Sequence, residues 1–136
     1  MPEFDVDLFV IGGGSGGVRC ARIAATHGSR VAIAEERYWG GTCVNVGCVP
    51  KKVMWNAAQI AHALHDAPEY GFDAQVRGHD WATLKAKRDA YIQRLNGIYE
   101  GNLGRRKVDL VRGRARLVGP LTVEVDGRLR PAILSR

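Results

Sequence analysis

Residues 6–17 read Val-Asp-Leu-Phe-Val-Ile-Gly-Gly-Gly-Ser-Gly-Gly. The first six are mostly apolar with β-branched ends, the pattern of a strand buried in a parallel sheet. They run directly into glycines, of which Gly12, Gly14 and Gly17 fit Gly-x-Gly-x-x-Gly. A helical pattern follows over 18–27, with Ala21, Ala24 and Ala25, and Gly28 stands where a helix-ending glycine belongs. A second apolar strand, 31–34, ends at Glu35.

Strand, glycine turn, helix, second strand and acid together form the context in which a glycine triplet reads as a dinucleotide site. Gly12 permits the tight turn, Gly14 lets pyrophosphate approach the backbone, and Gly17 lets helix and strand pack closely. The helix start offers N–H groups and a positive dipole end to phosphate. A carboxylate at Glu35 suits a free ribose 2′-hydroxyl, which favours FAD or NAD over NADP. Glu36, the second acid, is expected to face solvent. The competing reading of the turn is a flexible glycine loop.

The next informative stretch, 40–52, reads Gly-Gly-Thr-Cys-Val-Asn-Val-Gly-Cys-Val-Pro-Lys-Lys. On a regular helix Cys43 and Cys48 would stand about 8–9 Å apart at Cα, and a disulfide tolerates only about 7 Å. The pair therefore closes only where the backbone departs from a helix, as Gly47 and Pro50 allow. A strained bridge is readily reduced, and the charge of Lys51 and Lys52 favours thiolate. A redox dithiol is the reading taken; buried packing and half of a zinc site are the alternatives. Cys20, on the first helix, is expected in the core.

The remainder is ordinary for a globular chain. Its 136 residues allow one modest core. With 46% hydrophobic and 25% charged residues it is neither disordered nor fibrous. No apolar run approaches the ~18 residues of a membrane span, and the acidic start lacks a signal layout. Three cysteines without an export signal point to a reducing cytoplasm. The net charge of +6 suits an anionic ligand or nucleic acid and decides neither.

Further along, 49–66 reads as a helix with Pro50 in its first turn, and 73–79 as a polar connection. A third helix over 81–103 carries Leu84, Tyr91, Ile92, Leu95, Ile98, Tyr99 and Leu103 as one stripe. Strands follow at 108–111, 115–118, Thr122–Val125 and 129–134, the last three as a meander with an Asp126-Gly127 turn. Arg112, Arg114 and Arg116 alternate as a solvent face; no nucleic-acid motif accompanies them. The fold class is α/β: a Rossmann-type parallel sheet with helices, plus a small antiparallel meander.

A nucleotide fingerprint followed by Cys-x4-Cys resembles the flavoprotein pyridine nucleotide-disulfide oxidoreductases, and among them the glutathione reductases. Residues 40–56 carry the redox segment of that group. Lys87-Arg88-Asp89-Ala90-Tyr91 and Arg94-Leu95-Asn96-Gly97-Ile98-Tyr99 are similar to its third helix. The resemblance implies FAD as cofactor, NADPH as electron donor and glutathione disulfide as substrate. It implies that Ser15 and Gly16 contact FAD phosphate, Glu35 the ribose, Ala115 the adenine, and Thr42, Cys43 and Lys51 the flavin and its phosphates. It makes Cys48 the thiolate beside the flavin, Cys43 the outer thiol that attacks substrate, and Lys51 a group favouring reduced flavin. Ser15, Arg22 and Tyr99 become substrate-binding positions. Arg19 and Arg22 share a helix face, which suits an anionic disulfide over a cationic one.

That family also has an NADPH domain with its own glycine motif and a dimer-forming domain with a His–Glu pair. Neither motif occurs in 1–136, so the chain reads as the N-terminal part of an FAD-binding domain, from a truncated or frameshifted frame. His27, His62, His65 and His79 receive no catalytic role. The expected consequences are a sheet lacking return strands, exposed apolar surface, weak FAD binding and no NADPH turnover by this chain alone. A homodimer is implied for the full-length family. The rival functions are a non-catalytic nucleotide-binding or dithiol redox-sensing module, and a relative of the dihydrolipoamide dehydrogenases or mercuric reductases.

Overall fold

The computed structural model describes residues 5–134. The acidic leading residues 1–4 and the final Ser135-Arg136 lie outside the described residues. β1 (Val6–Ile11) pairs in parallel with β2 (Val31–Glu35), and β2 with β3 (Asp109–Arg112). Their apolar runs are buried because helices and a second set of strands cover the two faces of the sheet. On one face Leu8, Val10, Val31 and Ile33 pack with Val18 and Ala21 of α1 (Ser15–Thr26), Trp39 and Leu103. On the other, Phe9, Ala32 and Ala34 meet Val123, Val125 and Ala132. The alternation of 31 and 33 against 32 and 34 is the period-2 strand pattern.

The meander comprises β4 (Ala115–Gly119), β5 (Thr122–Val125) and β6 (Arg128–Leu134). Asp126 and Gly127 both have positive φ, the two-residue turn their sequence favours. β6 does two things. Its first half pairs antiparallel with β5, from Val125↔Arg128 to Thr122↔Pro131, and its second half pairs parallel with β1 at Val6↔Ala132 and Leu8↔Leu134. The sheet order is β3-β2-β1-β6-β5-β4. The sequence reading placed 129–134 in the meander alone; β6 also pairs with β1. The change of partner falls at Pro131, whose carbonyl accepts the Asp5 N–H at 3.1 Å.

The helices differ from expectation in three places. The redox segment begins with a five-residue helix, α2 (Gly41–Asn45), before α3 (Cys48–Asp66) starts. α3 buries none of its residues, and Trp55, Ile60 and Leu64 are exposed along it. α4 (Trp81–Gly104) is capped by Asp80, whose carboxylate accepts the Thr83 N–H at 3.1 Å. Its half-buried line runs Leu84, Arg88, Ile92, Leu95, Asn96 and Tyr99 to the fully buried Leu103, while Tyr91 and Ile98 turn outward. Cys20 is exposed, contrary to expectation. The inward face of α1 is set by Val18 and Ala21, and a residue two positions after Val18 points away from it.

Candidate functional site

The site is built on the glycine turn. Gly12 has φ +100°, and a Cβ on Gly17 would stand 1.9 Å from the Gly12 carbonyl oxygen. Only a bare Cα lets α1 sit this close to β1. Gly14 precedes α1, no side chain caps the helix, and its first turn holds no acid. The first-turn N–H groups, at Ser15 and Gly16 among others, therefore keep the donor character that an anion requires.

Glu35 is tied into this turn. One of its carboxylate oxygens accepts the Gly13 N–H at 2.8 Å, and the other accepts the Arg37 N–H at 2.8 Å. Glu35 also lines a cleft of about 190 Å³ with Gly12, Glu36, Gly113, Arg114 and Ala115. Three of the expected cofactor positions, Gly12, Glu35 and Ala115, thus share one wall. Asp126 closes that wall from behind by accepting the Arg114 N–H at 3.1 Å.

The redox segment hangs from the same turn. The Gly40 N–H donates to the Gly13 carbonyl at 2.8 Å. Gly41 has φ +60°, and a Cβ there would come within 2.7 Å of the Gly14 Cα. Trp39, only 1% exposed, packs beneath; a Cβ on Gly13 would meet its ring at 2.6 Å. The Arg112 guanidinium lies 5.1 Å from the Trp39 ring centroid. It donates to the Arg37 carbonyl at 2.9 Å and pairs with Glu100 of α4.

Between the cysteines the helix breaks. α2 ends at Asn45, Val46 leaves helical geometry, and α3 restarts at Cys48. A Cβ on Gly47 would stand 2.9 Å from the Thr42 carbonyl oxygen and 3.3 Å from the Cys43 Cα, so the return path is open only to glycine. Pro50 takes a first-turn place where its missing N–H costs nothing. The departure from a continuous helix that the five-residue spacing demanded is present.

Both cysteines are free thiols, Cys43 half-buried and Cys48 exposed. They are in hydrogen-bonding contact, and this bond to Cys48 pushes the Cys43 thiol up from its ordinary value. Burial and the neighbouring Cys48 charge push the same way, while the Cys48 backbone N–H and Lys51 oppose them more weakly. The expectation that the charge of Lys51 and Lys52 favours thiolate is therefore corrected for Cys43 in the dithiol: the partner sulfur outweighs Lys51. Cys48 opens with Lys51, Lys52 and Trp55 onto a cleft of about 460 Å³.

The remaining expected positions are more scattered. Thr42 is exposed on α2 and borders a cleft with Glu35 and Asn45. Arg22 is half-buried on α1 and Arg19 exposed. Tyr99 is half-buried and packs against the core cluster of Leu8, Val10, Ile33 and Leu103, the surroundings its apolar stripe gives it. Among the described residues no group of three or more His, Cys, Asp or Glu is arranged to hold a metal, and no helix is long and apolar enough to cross a membrane.

Residues 6–130 match the family described as pyridine nucleotide-disulphide oxidoreductase. The chain belongs to that family. It is 50% identical to a glutathione reductase of Burkholderia cepacia over 127 residues, covering 93% of this chain and 28% of the relative. It is 56% identical to a glutathione reductase of Yarrowia lipolytica over 121 residues, 86% of this chain and 25% of the relative. Against the glutathione reductase of Schizosaccharomyces pombe it is 52% identical over 122 residues, 88% and 26%. The chain thus spans about a quarter of the length of the curated relatives it matches.

For this family member, sequence reasoning missed Trp39, Asn45, Asn96 and Arg112. All four act through tertiary contacts across 6 to 75 positions of chain. Asn45 and Asn96 each stood inside a segment quoted for its resemblance, yet nothing in spacing or composition joined them.

Proposed function

We propose that this chain forms the adenosine and pyrophosphate half of an FAD site and carries the redox dithiol of a glutathione-disulfide reductase. One observation carries the reading: the Gly40 N–H on the Gly13 carbonyl at 2.8 Å. It ties the segment with both thiols to a turn built for phosphate, so a dinucleotide laid on α1 would run toward Cys43 and Cys48.

In this reading α1 holds the pyrophosphate through N–H groups at Ser15 and Gly16. Glu35 holds the ribose with lone pairs left after its two backbone bonds, and Ala115 offers a small wall to the adenine. Held there, FAD would supply the hydride-accepting chemistry that links NADPH to the Cys43–Cys48 bridge. Lys51, beside Cys48, favours negative charge in that cleft.

The dithiol chemistry then balances. The Cys43 thiolate attacks one sulfur of glutathione disulfide, forms a mixed disulfide and expels glutathione thiolate, which takes up a proton. Cys48, as thiolate, attacks the Cys43 sulfur, re-forms the bridge and expels the second glutathione. Arg22 and Arg19 offer cations to the substrate carboxylates, and Tyr99 a contact beyond them. The odd count of three cysteines suits a reducing cytoplasm as the working compartment.

Titration of the purified chain with FAD, followed by flavin fluorescence, tests the reading. Saturable binding that weakens on Glu35→Ala supports it. A dithiol that cycles while FAD produces no saturable change would leave the redox-sensing module in its place.

A further inference from the structure

The break between α2 and α3 has a cause within the site. The Asn45 amide Nδ2 donates to the Gly41 carbonyl at 2.9 Å and to the Trp39 carbonyl at 3.3 Å. A side chain that bonds the carbonyl four residues back competes with the backbone for it and ends or bends a helix. Asn45 is the last residue of α2. Its remaining atom, Oδ1, accepts the Asn96 Nδ2 at 2.9 Å, and Asn96 also donates to the Ile92 carbonyl of its own helix at 2.8 Å. Two amides thus join the helix that carries Cys43 to α4, 51 positions along the chain.

The geometry points to Asn45 and Asn96 as positioning residues that hold Cys43 over Cys48 and so set how readily the dithiol oxidises. This rests on the redox role proposed above for the two thiols. Neither amide touches the sulfurs; they act through the placement of α2. A tether that presents one thiol to the other raises its effective concentration and favours the closed bridge. Loosening it favours the open dithiol and makes the potential less negative.

The amide orientation matters as well. Both donors of Asn45 face backbone carbonyls, so an oxygen faces position 96. A carboxylate there would set oxygen against oxygen. Asn96→Asp, which preserves shape, should therefore act like Asn96→Leu.

The test needs no flavin. In a Cys20→Ser background, the chain is equilibrated with mixtures of reduced and oxidised dithiothreitol, and free thiols are counted by alkylation and mass. Dithiothreitol supplies two electrons and two protons to the bridge and leaves as its cyclic disulfide. Asn96→Leu and Asn96→Asp should each shift the equilibrium toward dithiol by about tenfold, or ~30 mV. Gln93→Ala, exposed on the same helix, should not move it. Values for both Asn96 variants within twofold of the parent would overturn the inference and leave the redox role intact. So would an equal shift from Gln93→Ala. A parent chain that forms no Cys43–Cys48 bridge in any mixture would overturn both. Should Asn96→Leu fail to fold, Asn96→Asp decides.

Discussion

Gly40 donates its N–H to the Gly13 carbonyl at 2.8 Å, so the segment that bears both thiols is fixed to the end of the first strand. The next residue tightens the joint, because Gly41 and Gly14 meet backbone to backbone. Gly41→Ala should destabilise the fold by about 1–3 kcal/mol through overpacking, and its φ of +60° adds to the strain. Gly16→Ala, with nothing within 4 Å of the new methyl, should be neutral or stabilising by about 0.5–1 kcal/mol. Denaturant melts of the two variants decide whether close approach or mere glycine content matters.

Glu35 is the second fastening of the same turn. Glu35→Gln keeps one acceptor and places an amide nitrogen against a backbone N–H. The expected loss is about 1.5–3 kcal/mol, the range for a hydrogen bond to a charged group, seen in the same melts. FAD affinity should fall with it. A variant as stable as the parent would show the two 2.8 Å bonds to be incidental.

Cys43 should be a sluggish nucleophile in the dithiol, because its bond to Cys48 favours the protonated form. Its alkylation should set in at higher pH than that of an ordinary thiol. Cys48→Ser should shift the onset to lower pH, and Lys51→Met should shift it higher. Peptide-resolved iodoacetamide labelling across pH reads all three. The sign for stability follows: raised in the fold, this thiol contributes stabilisation at low pH that is lost as pH rises through the folded value.

Arg112 braces the site from outside through the Trp39 ring, the Arg37 carbonyl and Glu100. Arg112→Leu should loosen Trp39, the buried one of three tryptophans; Trp55 and Trp81 are more than half exposed. With those two replaced by Phe, the remaining emission should shift red and become quenchable by acrylamide. A cation over an indole at an exposed site contributes about 0.5–1 kcal/mol, so global stability should move little.

Acid behaviour follows from three carboxylates. Hydrogen bonds from Arg30 hold Asp7 below the usual range, those from Thr83 hold Asp80 there, and those from Arg116 hold Glu124 there. Each depressed group contributes stability above its unfolded value that disappears as pH falls through the folded one. Melting temperature should therefore drop below about pH 4, and Asp7→Asn should flatten part of that slope. An unchanged slope would remove Asp7 from the account.

The sheet strands and long helices were legible because each repeats one pattern, as β1 does from Val6 to Ile11 and Thr122–Val125 does in full. The cleft formed by Gly12, Glu35 and Ala115 was legible in part, through the glycine fingerprint and the acid that follows it. α2 was not: five residues opened by glycines with positive φ carry no helical period. Cys20 misled because burial on α1 is set by angle, and a cysteine suits either face. The second pairing of β6 was hidden because 129–134 was read only as the last strand of the meander, whereas the strand changes neighbour at Pro131.

That double allegiance of β6 has a temporal consequence. Val6 finds its partner in Ala132, 126 positions downstream, and pairings so distant form late and slowly. On the ribosome β1 must therefore wait, bare on one flank, until Ala132 has emerged. Chaperone dependence should be greatest in that interval, and a pause engineered just before codon 128 should lengthen it.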